Sequence, residues 1–489
     1  MSDTTAMPLS VITPKFQLAV QKAISPDRVL NTNDELLVYE CDGYVVEKNT
    51  PDIVVFPETS EEIQAIVRIC RDAQVPFVPR GAGTSLAGGC LPVGGGVMIS
   101  LTRMNQILEL APEDRLAVVQ PGVINSKLNN ALKNSGFHFA PDPSSQGACT
   151  LGGNVATNSG GPHTLKYGVT VNHVLGIEFV SPEGEIIQLG GPLGSPSDFD
   201  YTGLFVGSEG TFGIVTKIWV KLTQNPPAVR TMLAIFDSID DTTAAISAII
   251  AAGIIPAALE MIDQGIIGAL EDAFAFGFPL DAAAVLLIEV DGLEIDVDEE
   301  AETIANICRE HLARDIQRAN DDQERALLWK CRKQAFGAIG RLSPSYCTQD
   351  GVVPRTKVPE ILRFIADVSK RHDIRILNVF HAGDGNLHPI LLFDERDHDQ
   401  VQRVLKASDE ILSRCIELGG SVTGEHGIGV EKIDFMKRLY SDVDLAVMND
   451  VRAMFNPQGL CSPGKLLPTT GACGAERITV SHPGRKAAM

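Results

Sequence analysis

The sequence predicts an α+β protein of two or more domains, and three patterns carry that expectation. Apolar runs at 52–57 and 75–79 flank an amphipathic helical stretch, which makes a β-α-β unit. Further strand-type runs recur at 96–101, 116–120, 174–180 and 214–222. Beyond Asn225-Pro226-Pro227, strand patterns at 232–236 and 284–290 alternate with helical stretches at 241–252, 262–276 and 297–313. That order suggests an antiparallel sheet with helices on one face. A chain of 489 residues is long enough for more than one core.

Residues 1–48 read as a mixed helical lead-in. Thr59-Ser60-Glu61-Glu62 supplies an N-cap and first-turn acids, and Ile63, Ile66, Val67 and Cys70 follow at helical spacing. The glycine loop at 79–89 follows the second strand of this unit, whereas a Rossmann fingerprint follows the first. Ser126–Asn134 reads as a further helix. The two prolines at 226–227 mark a boundary, because neither helix nor strand continues through them. Residues 469–489 hold few core residues and read as a loose tail.

Composition excludes several classes. The net charge of −21 argues against nucleic-acid binding. It also means that an anionic substrate needs local positive charge. Met1 to Pro8 offers no basic segment followed by an apolar run, so a secretory signal is not expected. No apolar stretch reaches membrane-spanning length; the longest, around Ala244 to Ala258, is broken by Gly253 and Pro256. The ten cysteines form no Cys-x-x-Cys pair, which excludes the usual iron–sulfur and zinc-ribbon spacings. Cys70 and Cys308 fall on apolar helical stripes, as expected of reduced, buried thiols in a cytoplasmic protein.

Two polar segments concentrate chemistry. His381-Ala382-Gly383-Asp384-Gly385-Asn386-Leu387-His388 and Gly424-Glu425-His426-Gly427-Ile428-Gly429 hold three of the chain's ten histidines. Two imidazoles and a carboxylate suit a divalent metal that must also hold a substrate. Strand patterns on either side of the 382–386 bend would aim both His381 and His388 at one site.

Four other segments suit a large phosphate-bearing ligand: 79–89, 141–145, 150–161 and 207–216. Closely spaced glycines let backbone N–H groups converge on an anion, and Thr84 and Ser85 add hydroxyl donors. The order of these four segments resembles the FAD-binding domain of the vanillyl-alcohol-oxidase (PCMH-type) flavoproteins. With the two histidine motifs, the likeness narrows to the FAD-linked 2-hydroxyacid dehydrogenases, in particular the glycolate oxidase branch. It runs from Tyr39-Glu40-Cys41-Asp42-Gly43 to Ser462-Pro463-Gly464-Lys465 and includes Leu259-Glu260-Met261.

The resemblance implies a PCMH-type FAD-binding domain of two α/β subdomains at 49–226. A C-terminal cap domain with an antiparallel sheet follows at 227–468. It implies that Arg80, Gly81, Ala82, Gly83, Thr84 and Ser85 wrap the FAD diphosphate. Pro141, Ser144, Thr150, Gly152, Gly153, Ala156, Thr157 and Gly160 would follow the cofactor's ribityl chain and ring. Ile214, with Val215, and Asn456 would also approach it. The Arg80 loop lacks the His that some relatives bond to flavin, so FAD is expected to be non-covalent. Ser462 departs from the family's Asn-Pro-Gly-Lys pattern and is given no side-chain role.

By the same resemblance His381, His388 and Glu425 bind the metal, Zn²⁺ or Mn²⁺. His426 is the base that takes the hydroxyl proton of a small 2-hydroxyacid. Arg332, in Trp329-Lys330-Cys331-Arg332, is the expected carboxylate anchor, with Arg355 second; the alternative is a solvated helix-face Arg332. The implied reaction is glycolate to glyoxylate, with electrons leaving to a second FAD-domain subunit and an iron–sulfur subunit at the cytoplasmic membrane face. The alternatives are a stand-alone D-lactate or D-2-hydroxyglutarate dehydrogenase, an idle FAD-binding or assembly subunit, and a nucleotide-binding regulator. The intact histidine motifs oppose the idle subunit, and the lack of Walker or Rossmann spacing opposes the nucleotide-binding regulator.

Overall fold

The computed structural model describes residues 12–194 and 199–468. The expectations for Met1 to Pro8, for the tail at 469–489 and for Cys473 lie outside the described residues. Thr13 caps the helix Pro14–Ala23 by accepting the Phe16 N–H. That helix buries Phe16 and Val20 in the same cluster as Ile63, Ile66, Val67 and Cys70 of the helix Ser60–Ala73. All four of the residues picked out by helical spacing are thus core residues.

The first half of the chain holds two main sheets. One has the order Val29–Leu30, Ile53–Val55, Val97–Ser100, Phe77–Arg80. Its last two pairings are parallel, as a β-α-β connection requires. The other is antiparallel, in the order Ile107–Ala111, Leu116–Val119, Ile214–Lys221, Val174–Val180, Ile186–Gly190. Its central strand pairs Ile218 with both Val119 and Ile177. The glycine loop at 79–89 leaves the strand Phe77–Arg80, and the segment 207–216 leads into the strand Ile214–Lys221.

A third sheet begins with the strand Ala228–Phe236, directly after the two prolines. It is antiparallel and runs through Ala284–Gly292, Ala258–Asp263 and Ile376–His381. Helices cover both of its faces, not one. Met232, Ala234, Leu286 and Ile288 share a core cluster with the helices Ile239–Ala251, Glu294–Glu310 and Val358–His372. Leu233, Ile235, Val285 and Leu287 cluster with Gln264–Phe274 and Asp322–Ile339. The physical reason is visible in the strands: residues of both parities are apolar, the pattern of a sheet buried on two sides.

The register of this sheet decides the site. Glu260 lies opposite Leu287 and His381, and Thr231 opposite Glu289. Directly paired residues point to one face. Glu260, His381 and Glu289 therefore share the face covered by the helix Asp322–Ile339.

The C-terminal helix Asp442–Phe455 returns to the first half, where Phe455 stacks on Phe212 with ring centroids 4.5 Å apart. Cys461 then bridges to Phe77, at the strand that leads into the first glycine loop. Of the nine described cysteines, all unbonded, eight are buried and Cys41 is partly so. No helix among the described residues is long and apolar enough to cross a membrane.

Candidate active site

A cavity of about 440 Å³ lies between the two halves of the chain. Its long wall is built from Gly81–Leu86, Pro143–Ser145, parts of 149–159 and Ser208–Gly210. Ala82, Gly83 and Thr84 give their N–H groups to no backbone acceptor among the described residues, so these donors remain for a ligand. Thr150 caps the short helix Leu151–Thr157, with its side chain accepting the Gly153 N–H at 3.3 Å. This convergence of glycine loops, hydroxyls and free N–H groups fits a diphosphate-bearing cofactor such as FAD.

His388, Glu425 and His426 line the same cavity. Glu425 Oε1 lies 3.0 Å from His381 Nε2 and 3.1 Å from His388 Nε2. Ligands bound at about 2.1 Å in a tetrahedron stand about 3.4 Å apart, so the spacing fits a divalent metal held by these three residues. The His381 and His388 rings meet edge to face, with centroids 5.0 Å apart. His381 Nδ1 lies 2.6 Å from Glu260 Oε1, an outer carboxylate that fixes the ring and leaves Nε2 for the ligand position.

Two buried carboxylates hold the turn that carries Glu425 and His426. Asp350 Oδ2 accepts the Thr423 hydroxyl at 2.6 Å and the N–H groups of Gly424, Glu425 and His426 at 2.9, 3.1 and 2.8 Å. From the other half of the chain, Glu209 accepts the N–H groups of Ile428 and Gly429 at 2.7 and 2.6 Å. Gly427 takes φ +87° beside Glu209, where a side chain would be strained and crowded. The turn is thus clamped from both halves.

The charges are strongly coupled. Burial opposes a charged His381, but Glu260 and Glu425 outweigh it and hold its pKa well above the usual imidazole range. Burial would raise Glu425, yet His381 and His388 hold it well below the usual carboxylate range. His426 differs: burial pushes it down to about 4, against the pull of Asp350, so it is a neutral acceptor. Its ring stacks on His388 with centroids 4.8 Å apart. The buried Nδ1 atoms of His388 and His426 have no hydrogen-bond partner.

Arg332 is buried rather than solvated, which removes the helix-face alternative. Its Nε donates to Glu260 Oε2 at 2.7 Å, while both terminal amino groups are buried without a partner. Arg355 is exposed and donates to the Gly383 carbonyl at 3.1 Å.

Several residues expected at the cofactor stand elsewhere. Gly81, Ala82, Gly83, Thr84, Ser85, Ser144, Thr150, Gly152, Gly153, Ala156 and Thr157 line the cavity. Arg80 does not: its guanidinium lies behind the loop, bonded to the Cys41 carbonyl at 2.9 Å. Pro141 and Asn456 are structural, each bonded through its carbonyl or amide to Asn125 and Cys461 respectively. Ile214 is buried in its strand, and its neighbours Gly213 and Val215 line the cavity instead. Gly160 faces the metal-type site, where an added Cβ would lie 2.9 Å from Glu425 Oε2.

Glu260, Asp350 and Glu209 were not assigned roles from the sequence. The available signal was a lone acid inside an apolar strand for Glu260 and an acid in a glycine loop for Glu209.

The FAD-linked oxidase C-terminal domain family matches residues 225–466, and the FAD binding domain family matches residues 51–190. The glycolate oxidase subunit GlcD of Escherichia coli (strain K12) is 44% identical over 468 residues, covering 95% of this chain and 94% of the relative. A D-lactate dehydrogenase of Anaerostipes hadrus is 31% identical over 462 residues, covering 91% of this chain and 96% of the relative. The solved structure of p-cresol methylhydroxylase with substrate bound superposes with a TM-score of 0.79 at 18% identity, covering 92% of this chain and 96% of that one. At that identity the likeness is one of fold.

Proposed function

The chain belongs to the FAD-linked oxidases, and we propose that it is the flavin-bearing subunit of a glycolate oxidase, oxidising glycolate to glyoxylate. The observation that carries the reading is that two members of the metal-type triad, His388 and Glu425, and the imidazole of His426 line the cavity that the glycine loops build. The similarity to glycolate oxidase subunits over nearly the whole chain supports this substrate over D-lactate, the second reading. The proposed division places the FAD-binding domain at 49–226 and the substrate domain at 227–468.

FAD, when bound, supplies the acceptor for the hydride that leaves C2. A divalent ion, zinc or manganese by ligand type, supplies a Lewis acid that lowers the hydroxyl pKa. The chain does the rest. His381, His388 and Glu425 hold the ion, and Glu260 keeps His381 in the orientation that presents Nε2. His426 takes the hydroxyl proton as the C–O bond becomes a carbonyl. Arg332 offers its two unpartnered amino groups to the substrate carboxylate, which supplies the local positive charge that an anionic substrate needs in an acidic chain.

The histidines lining the cavity, His388 and His426, belong to the metal-type site, and the first glycine loop has none. This supports a non-covalent flavin that acid precipitation releases in full. The absence of Cys-x-x-Cys spacing supports an external route for the electrons, to a second FAD-domain subunit and an iron–sulfur subunit at the cytoplasmic membrane face. The test is a panel of glycolate, D-lactate and D-2-hydroxyglutarate with an artificial electron acceptor. The expected order puts glycolate first and D-lactate second. Failure of every acid to reduce the flavin would overturn the reading.

A further inference from the structure

We infer that Phe336 and Tyr346 form the wall that the C2 substituent of the substrate meets, and that this wall limits the enzyme to monocarboxylic 2-hydroxyacids. The inference rests on the 2-hydroxyacid reading above. Both aromatics line the cavity that also holds His388, Glu425 and His426. They arrive on the elements that build the site. The helix Asp322–Ile339 turns Arg332 toward Glu260 and, one turn later, presents Phe336 to the cavity. Tyr346 lies on the strand Ser345–Thr348, paired with the strand Pro389–Phe393 that begins directly after His388. The two rings stand 6.3 Å apart and pack against the cluster containing Ile390 and Leu392.

A substrate held by its carboxylate at Arg332 and its hydroxyl at the triad has two bonds of C2 left, one for the hydrogen that leaves as hydride and one for a substituent. A methyl or short alkyl group there meets aromatic carbon. A second carboxylate on this wall would lose its hydration with no buried counter-ion among the described lining residues to replace it. Among the described residues lining the cavity, Lys333 is the sole lysine or arginine; Arg332 is buried behind the lining, held to Glu260. It is exposed, with its ammonium 5.9 Å from the Trp329 ring centroid, so it stands at the mouth rather than at the buried end.

The experiment compares kcat/KM for glycolate, D-lactate, D-2-hydroxybutyrate and D-2-hydroxyglutarate in the wild-type protein, Phe336→Ala and Tyr346→Ala, with FAD content as the folding control. The wild type should favour glycolate and D-lactate over D-2-hydroxyglutarate by about 10²-fold or more. Removing either ring should raise D-2-hydroxybutyrate relative to glycolate by about 10-fold. Should a truncation lose its FAD, Phe336→Leu carries the same comparison with less loss of packing. Wild-type kcat/KM for D-2-hydroxyglutarate equal to that for glycolate overturns the monocarboxylate limit. Unchanged ratios in the variants overturn the wall while leaving the 2-hydroxyacid reading intact. A flavin that no acid in the panel reduces overturns both.

Discussion

His381 sits between Glu260 and Glu425, and His163 sits between Asp142 and Glu289. In both places the carboxylates outweigh burial and raise the imidazole pKa. The two clusters differ in what is left over. Glu289 accepts from Thr231, Trp329 and two nitrogens of Arg325 at 2.6–2.9 Å, and His163 stands 3.3 Å from it. The His163 ring also stacks on Trp329, with centroids 5.1 Å apart. Around Glu425, by contrast, Asp350 Oδ1, His388 Nδ1, His426 Nδ1 and both amino groups of Arg332 are buried without partners. A raised histidine pKa is therefore common to both clusters. Unspent hydrogen-bonding capacity beside a cavity is what marks the candidate active site. The His163 cluster instead ties the two halves of the chain together.

The comparison breaks first at the ligands. Glu425→Ala should lose the metal and slow flavin reduction by about 10³-fold or more, since Lewis-acid stabilisation is worth several kcal/mol. Elemental analysis and stopped-flow absorbance read the two effects, and full activity without metal would remove the site. Next comes His426→Ala, which should slow single-turnover flavin reduction by about 10²–10⁴-fold while FAD and metal stay bound. A native rate would leave His426 as a structural neighbour only. Asp350→Asn keeps the shape of the carboxylate but not its charge. It should weaken metal affinity by about 10–100-fold, the usual effect of an outer-shell partner, as read by competition with a chelating dye.

The smallest effect on activity is expected at the other cluster. Glu289→Gln should leave metal content and kcat near native but lower the unfolding temperature, because it leaves the part-buried His163 and Arg325 underpaired around a buried side chain. The pH dependence has a definite sign. His163 rises from an ordinary 6.5 to about 10, because Asp142 and Glu289 outweigh its burial. Its contribution is complete below 6.5 and is lost as pH climbs toward 10. Glu289 is lowered from 4.5 by Arg325 and His163 against its burial, so its contribution is lost as pH falls below 4.5. The unfolding-temperature gap between wild type and His163→Gln should therefore shrink from pH 6 to pH 10. A constant gap would mean that His163 carries no charge in the fold.

Much of this protein is written locally. The spacing of Ile63, Ile66, Val67 and Cys70 specifies a helix face, legible in the sequence because a helix needs neighbours only three and four residues away. Glycine loops and ligand-type residues point to an anion site and a metal-type cluster for the same reason: the chemistry resides in the residue types. The two-faced burial of the third sheet was misread because the alternation of helices gives their order and not the face to which each returns.

What the tertiary structure decided depends on separation along the chain. Glu260 meets His381 across 121 residues, and Glu209 meets Ile428 across 219. Arg80 turned out to brace its loop from behind, and Arg332 turned inward to Glu260. No local pattern encodes such contacts, because they are fixed by strand register and by which helix covers which face. Sequence alone therefore picked out the residues of the metal-type cluster and most of the loops that line the cavity. The carboxylates that orient them, and the separation of a satisfied charge cluster from an unsatisfied one, exist only once the two halves have closed on each other.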